Sequence, residues 1–129
     1  MSAPFAHDRP DFVAMAVRHA TAAQHPDLDP AAVFPEANVR GCSATARARQ
    51  LAIYVMSARL DVSQFETGRQ FSRDRTTALH AVHTVAQLVE RCPATAKLVD
   101  RIERDTRHLL DLFAMVEAET HPTRTSFHG

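Results

Sequence analysis

The polar run Arg73-Asp74-Arg75-Thr76-Thr77 has side chains that can read the edges of base pairs. The guanidinium of Arg75 can donate two hydrogen bonds, to the O6 and N7 atoms of guanine. A threonine methyl can pack on the methyl group of thymine, and its hydroxyl can bond a base or a phosphate. Asp74 has a second interpretation, as the cap of a helix that starts at Arg75. The run predicts a contact surface for double-stranded DNA.

The elements that position this run fit a helix-turn-helix. Ser63 and Glu66 have the spacing of a capping box, which starts a short helix. Residues 72–74 form a three-residue turn, and a longer helix follows over about residues 75–90. The N-terminal residues of such a second helix lie nearest to the bases in the major groove. A packed pair of helices that binds nothing fits the same pattern, so both alternatives stay open.

The rest of the chain predicts an all-α protein. Glycine, tyrosine and tryptophan number only 3, 1 and 0, and strands favour aromatic and β-branched residues. Prolines, capping residues and apolar spacing predict helices at about residues 10–25, 30–34, 44–59, 64–71, 75–90 and 94–119. The expected fold is a compact helical bundle with a helix-turn-helix and a long C-terminal helix.

Apolar spacing also predicts the buried side of each helix. The first helix is expected to bury Phe12, Met15, Ala16 and His19, and the third Leu51, Tyr54, Val55 and Ala58. The two helices of the motif are expected to bury Phe65, Gly68 and Phe71, and then Leu79, Val82, Val85, Ala86 and Val89. In the last helix the apolar residues are Leu98, Ile102, Leu109, Leu112, Phe113 and Val116.

Residues 46–81, ARARQLAIYVMSARLDVSQFETGRQFSRDRTTALHA, resemble the C-terminal DNA-binding domain, domain IV, of the bacterial replication initiator DnaA. The family signature has an Arg-Gln pair, a short helix ending in Gly-x-x-Phe, then Arg-Asp-His-Thr-Thr and a downstream His-Ala. The matching residues are Arg49-Gln50, Gly68, Phe71, Arg73-Asp74, Thr76-Thr77 and His80-Ala81. A looser helical match spans residues 12–110. The resemblance implies binding of duplex DNA.

Three positions depart from the family pattern. Arg75 stands where the family has His, and the single Ser72 replaces a pair of glycines, so that the turn is one residue shorter. Phe65 stands where the family has Pro. Because residues that read bases are partly changed, the resemblance implies DNA binding more strongly than recognition of the initiator's own nine-base box.

The resemblance assigns a role to each candidate DNA-binding residue. Asp74, Arg75, Thr76 and Thr77 are expected in the major groove, Arg49 and Gln50 on the phosphate backbone, and Arg40 in the minor groove. Gln64 and Phe65 occupy contact positions at the start of the first motif helix, and Arg73 and His80 complete the expected DNA-binding set. Structural alternatives remain for four of them: Asp74 as a helix cap, Phe65 as a core residue, Thr77 bonded back within its own helix, and His80 as a packing residue.

Positive charge is concentrated in one stretch of a neutral chain. The formal net charge is 0, but residues 40–75 contain seven arginines and three acidic residues, a net charge of +4. Residues 1–39 have a net charge of −3, and residues 76–119 a net charge of −2. A local positive field attracts an anionic partner whatever the net charge of the protein. The clustering favours one anionic partner on one face.

Sequence patterns for other functions are absent. There is no glycine-rich phosphate loop, and no Ser/His/Asp or paired-carboxylate arrangement indicates an enzyme. His80 and His83 have no cysteine pair or acidic ligand at metal-binding spacing. No apolar run approaches the roughly 18 residues of a membrane span, and no signal peptide is apparent. We expect a bacterial, cytoplasmic, nucleoid-associated protein that binds no cofactor, metal, nucleotide or membrane.

The expected organisation is a flexible lead (residues 1–9), one DNA-binding domain (residues 10–119) and a flexible tail (residues 120–129). The favoured function is a sequence-specific regulator of transcription. Stand-alone domains of this type look similar to the DNA-binding part of the gene-transfer-agent activators of α-proteobacteria, which work with an RNA-polymerase-binding partner. The alternatives are a replication modulator that occupies initiator-like boxes, and an adaptor that binds a transcription or replication protein through the C-terminal helix.

Overall fold

The structure, a computed structural model, describes residues 9–35 and 43–120, and within these ranges every regular element is a helix. In chain order they are α1 (Pro10–Ala23), α2 (Pro30–Val33), α3 (Ser43–Tyr54) with a π-helical turn (Val55–Arg59), α4 (Gln64–Gln70), α5 (Arg75–Arg91) and α6 (Pro93–Thr120). The predicted all-α fold with a long C-terminal helix is confirmed. The expected flexible lead and tail lie almost entirely outside the described residues.

Asp29 and Ser63 cap α2 and α4 at their predicted starts. The N–H of Ala31 donates to Asp29 Oδ1 at 3.1 Å, and the N–H of Glu66 donates to Ser63 Oγ at 3.1 Å. Pro30 occupies the first helical position of α2, where its missing N–H costs no hydrogen bond. Each cap satisfies a donor that the first turn of a helix leaves without an intrahelical partner.

A π-helical turn closes the third predicted helix and is fixed to α6. The N–H of Leu60 donates to the carbonyl of Val55 at 2.9 Å, which ends the turn. Arg59 forms ion pairs with Asp100 at 3.0 Å and with Glu103 at 2.7 Å. Because these bonds cross from the π turn to α6, Arg59 joins the two elements.

The core lies among α1, α3, α5 and α6. α1 packs against α6 and α3, α3 packs against α5, and α4 packs against α5 and α1. The largest fully buried side chains include Val13, Val17, Leu51, Ile53, Met56, Val85, Val99, Ile102 and Leu110. The helix-turn-helix formed by α4 and α5 therefore rests on α1 and α3.

The buried face of α1 differs from the predicted one. Val13, Ala16 and Val17 are buried, whereas Met15 is 47% exposed and His19 is also exposed. α1 has neighbours in both α6 and α3, and its alanines fit wherever a neighbouring helix approaches closely. The apolar spacing of an alanine-rich helix therefore does not define one face, and the prediction for Met15 and His19 was wrong.

The buried face of α5 is centred on small residues. Ala78 and Ala81 are buried with Val85, while the predicted Leu79 lies half-buried at the margin. The spacing of large apolar residues does not reveal burial of small ones. The helix that carries the candidate base-reading residues therefore packs on the core with two alanines and a valine on its buried face.

Along α6 the buried line also differs from the prediction. Val99, Ile102 and Leu110 are buried, whereas Leu112 and Val116 are exposed. Toward its C-terminal end α6 is covered on one side by the start of α1, where the rings of Phe12 and Phe113 lie 5.8 Å apart between centroids. An apolar surface therefore remains exposed near the end of this helix. Ala58 of the π turn is likewise exposed, against expectation.

Candidate nucleic-acid interface

Gly68 lets the turn between α4 and α5 pass against α4. The N–H of Arg73 donates to the Gly68 carbonyl at 2.8 Å. A Cβ atom built on Gly68 would lie 2.6 Å from the carbonyl oxygen of Arg73, a contact that real Cβ atoms do not make. Glycine is therefore required here by the close approach of the backbone, which explains its place in the sequence motif.

Phe71 anchors the same turn in the core. Its side chain is buried, and its ring centroid lies 5.7 Å from that of Phe34, which follows α2. The guanidinium carbon of Arg18 lies 5.1 Å from the Phe71 centroid, and Arg18 Nη2 donates to the carbonyl of Gln70. Residues of α1 and α2 thus hold the turn that leads into α5. The sequence analysis did not predict a role for Arg18. The only feature that could have indicated one is that this charged residue directly follows the buried Val17.

The N-terminus of α5 is capped by Asp74. The N–H of Thr77 donates to Asp74 Oδ1 at 2.7 Å. Hydrogen bonds from the backbone and hydroxyl of Thr77, and from the backbone of Thr76, hold the pKa of Asp74 below its usual value. The predicted capping interpretation is confirmed. A base contact by the same carboxylate remains a prediction.

Four candidate DNA-binding side chains lie on the first two turns of α5, three of them expected in the major groove. Arg75, Thr76, Thr77 and His80 are all exposed. They occupy its first six positions, and the buried Ala78 and Ala81 hold the opposite face against the core. These four residues are thus exposed within the first six residues of α5, and their contact with DNA remains a prediction.

Phe65 lies on the outside of α4. It is 64% exposed, so the expectation that it packs inward with Gly68 and Phe71 was wrong. Ser63 caps this helix, and Phe65 falls in its first turn, beside the half-buried Gln64. The start of α4 therefore presents a large apolar side chain in the stretch of highest positive charge.

Arg49 is buried and bonded to α2. Its side chain is only 8% exposed, Nε donates to the carbonyl of Val33 at 2.7 Å, and Nη2 lies 3.3 Å from that of Ala32. Burial lowers the pKa of Arg49, and the nearby charge of Arg73 lowers it further. Arg49 therefore closes the C-terminal end of α2, and a role on DNA phosphates remains a prediction.

Arg73 lies half-buried in the turn before α5. Its Nη1 donates to the carbonyl of Ser72 at 3.0 Å, and burial lowers its pKa. With Arg49 it places two guanidinium groups close enough to repel each other. Within residues 9–35 and 43–120 neither guanidinium forms an ion pair with a carboxylate, and such a pair of cations is suited to a phosphate.

Two further expected contacts add little to this geometry. Gln50 is half-buried on α3, directly after Arg49. Arg40, expected in the minor groove, lies outside the described residues.

Among the residues described, no group of three or more His, Cys, Asp or Glu side chains is placed to hold a metal ion. Within the same ranges, no helix has both the length and the apolar character to cross a membrane.

Comparison with known proteins gives one informative similarity. No protein-family model matches the chain, and no solved structure matches it. Over 68 residues the chain is 37% identical to the chromosomal replication initiator protein DnaA of Gluconobacter oxydans (strain 621H). The match covers 52% of this chain but only 14% of that protein. Over about half of its length, the chain therefore has a DnaA-like relationship.

Proposed function

We propose that this protein binds double-stranded DNA with sequence specificity and regulates transcription, with the start of α5 in the major groove. The observation that carries this proposal is the exposed group Arg75, Thr76, Thr77 and His80 on the capped end of α5. The protein acts on the nucleoid in the cytoplasm, and the binding requires no metal, cofactor or nucleotide. The DnaA-like relationship supports the same conclusion.

The fixed orientation of α5 supports sequence-specific contacts with bases rather than non-specific electrostatic binding to DNA. Gly68, Phe71 and Arg18 hold the turn before it, and α5 packs against α3 with Ala78 and Ala81 buried in the core. Base-specific hydrogen bonds need donors held in register with the groove. Arg75 then pairs with a guanine, and the exposed ring of Phe65 offers an apolar contact to a thymine methyl or a sugar.

The guanidinium pair of Arg49 and Arg73 is the proposed phosphate contact beside α5. Phosphate contacts fix the position of a protein on the duplex but carry no sequence information. Because Arg49 also bonds the carbonyls of α2, it serves the fold and the DNA contact together. Arg40 completes the proposed interface from the segment that follows α2.

Two other functions each have an observation in their favour. The similarity to a replication initiator favours a modulator that occupies initiator-like boxes. The exposed Leu112, Met115 and Val116 near the end of α6 favour an adaptor that docks a transcription or replication protein. Genome-wide occupancy mapping separates the three: binding at promoters supports the regulator, binding at the origin supports the modulator, and the absence of occupied sites supports the adaptor.

The base-reading role of Arg75 is tested by selection from randomised oligonucleotides. On the selected site, Arg75→Ala should lower the binding free energy by about 1–3 kcal/mol and relax preference at one base pair only. Arg75→His should shift preference partly toward the initiator box, because imidazole offers fewer donors to guanine than a guanidinium. The shift should be incomplete, since Ser72 gives a shorter turn.

Arg91→Ala, at the other end of α5, is the matched control and should leave every base preference unchanged. If Arg75→Ala also leaves every preference unchanged, Arg75 contacts phosphate or solvent, and base reading must be assigned to Thr76 and Thr77. If the wild-type protein selects no sequence at all, the proposed function is wrong.

A further inference from the structure

An open groove lies along α1 and α2, with a volume of about 630 Å³. Its apolar lining consists of Met15, Ala22, Ala23, Pro30, Ala31 and Phe34, and its polar members are Arg18 and His19. Sites for small molecules have volumes of about 300–1,000 Å³ and combine apolar walls with a few polar groups. The groove has the size and the surface chemistry of such a site.

Arg18 is a cation without a charged partner in the described part of the chain. Its guanidinium is half-buried, its hydrogen bond goes to the neutral carbonyl of Gln70, and burial lowers its pKa. A guanidinium has five N–H donors, and cations removed from water are usually paired with an anion. Arg18 lines the groove, while its guanidinium lies over the Phe71 ring and spends one donor on the Gln70 carbonyl.

We propose that this groove binds a small apolar carboxylate, whose hydrocarbon chain lies along Met15, Ala22 and Ala31 and whose head group pairs with Arg18. A carboxylate matches the fork of N–H groups on a guanidinium and accepts two parallel hydrogen bonds. The apolar walls of the groove stabilise the hydrocarbon tail of the ligand by removing it from water. Neither interaction depends on DNA.

The same guanidinium connects the groove to the helix-turn-helix. Arg18 and Phe34 also line a neighbouring cavity of about 240 Å³, which reaches Phe71 and Ser72 in the turn before α5. A ligand carboxylate competes with the Gln70 carbonyl for Arg18 and so loosens the turn. Ligand binding then weakens DNA binding, and DNA weakens ligand binding by the same factor. This regulatory step rests on the proposed function.

Titration calorimetry with octanoate on the full chain tests the groove in the absence of DNA. Octanoate should bind saturably with one site per chain, and octylamine, which has the same chain and the opposite charge, should not bind. Arg18→Gln should weaken octanoate binding about tenfold or more, as expected for loss of a charge-assisted bond. Arg104→Gln, on the exposed face of α6, should leave the affinity unchanged.

A second variant keeps the test decisive if Arg18→Gln does not fold. Ala31 is exposed on α2 and lines the groove. Ala31→Phe therefore places a large side chain in the groove and leaves the guanidinium of Arg18 in the protein. It should abolish octanoate binding with the helical circular dichroism unchanged. The proposal is overturned if octanoate does not bind saturably, if octylamine binds equally well, or if neither variant changes the affinity.

Fluorescence anisotropy with the selected DNA site then tests the coupling. Octanoate should lower the DNA affinity of the wild-type protein and leave that of Ala31→Phe unchanged. If octanoate binds but does not change DNA affinity, the regulatory step is overturned. If no DNA binding occurs under any condition, the proposed function fails, while the calorimetric result still decides the groove.

Discussion

At the scale of single residues, Gly68 near the end of α4 and Ser72 in the turn before α5 both stand at positions that favour glycine, and only the first has it. Gly68 has no room for a Cβ atom, because the Arg73 carbonyl oxygen lies 2.6 Å from where that atom would be. Ser72 has a left-handed backbone with φ of 55°, a conformation in which any side chain costs free energy and glycine does not. The turn thus needs glycine at one position and tolerates serine at a position that favours glycine.

Gly68→Ala should lower the free energy of unfolding by about 1–3 kcal/mol, which is the range for forcing an extra carbon into a packed site. The better helix propensity of alanine, worth up to about 1 kcal/mol, offsets part of the clash but cannot remove it, because the obstructing atom belongs to the backbone. Urea unfolding followed by circular dichroism measures the difference.

Ser72→Gly is the matched control, since it removes a side chain where the backbone is left-handed. It should leave the free energy of unfolding unchanged or raise it by up to about 1 kcal/mol. A Gly68→Ala protein as stable as the wild type would show that the turn does not need the close backbone approach that the structure describes.

At the scale of elements, Arg49 joins α3 to the end of α2. Two carbonyls at the C-terminal end of a helix accept its N–H groups, and the cation lies where the helix dipole favours positive charge. Arg49→Ala should lower the free energy of unfolding by about 1–3 kcal/mol because it leaves buried acceptors without donors. It should also weaken binding to selected and random DNA by the same factor, if the guanidinium reaches phosphate.

Arg47→Ala is the control for this change, because Arg47 is exposed on the same helix. It should leave the unfolding free energy nearly unchanged. Urea unfolding and anisotropy on both DNAs give the two results separately. A loss of stability with unchanged affinity for random DNA would limit Arg49 to its structural role and remove it from the interface.

Local signals in the sequence predicted the element boundaries well. Ser63, Asp29 and Asp74 cap helices as their spacing indicates, because capping depends on residues within one turn of the chain. The predicted end of the third helix at residue 59 agrees with the end of the π turn. The π geometry of its last five residues was not predicted, and Arg59 in that turn forms ion pairs with a helix distant in sequence.

Buried faces were predicted less well than boundaries. Ala78 is buried and Phe65 is exposed. Both depend on how helices distant in the sequence pack against α4 and α5, which local sequence patterns do not show. The candidate interface shows the same division: the exposed start of α5 follows from its motif, while the burial of Arg49 and the reach of Arg18 to Gln70 follow from tertiary packing.

At the scale of the whole molecule, binding to DNA depends on where the charge lies rather than on its sum. The formal net charge is 0, and the arginines of residues 40–75 give that stretch +4. Two of those arginines are paired within the fold, Arg59 with Asp100 and Glu103 of α6, and Arg69 with Glu66. Arg73 and the exposed Arg75 lie at the start of α5. A duplex that approaches this end of α5 therefore meets positive charge although the protein as a whole is neutral.

DNA affinity should accordingly fall steeply with salt, with a slope of log K against log salt of about −0.9 for each phosphate contacted. Arg73→Gln should weaken binding to random DNA and reduce the slope by about 1, because it removes one phosphate contact. Arg104→Gln changes the net charge by the same amount on the exposed face of α6 and should leave both quantities unchanged. Anisotropy titrations over a series of salt concentrations measure the slopes. Equal losses in the two variants would mean that net charge governs binding, and the local interface at the start of α5 would have to be abandoned.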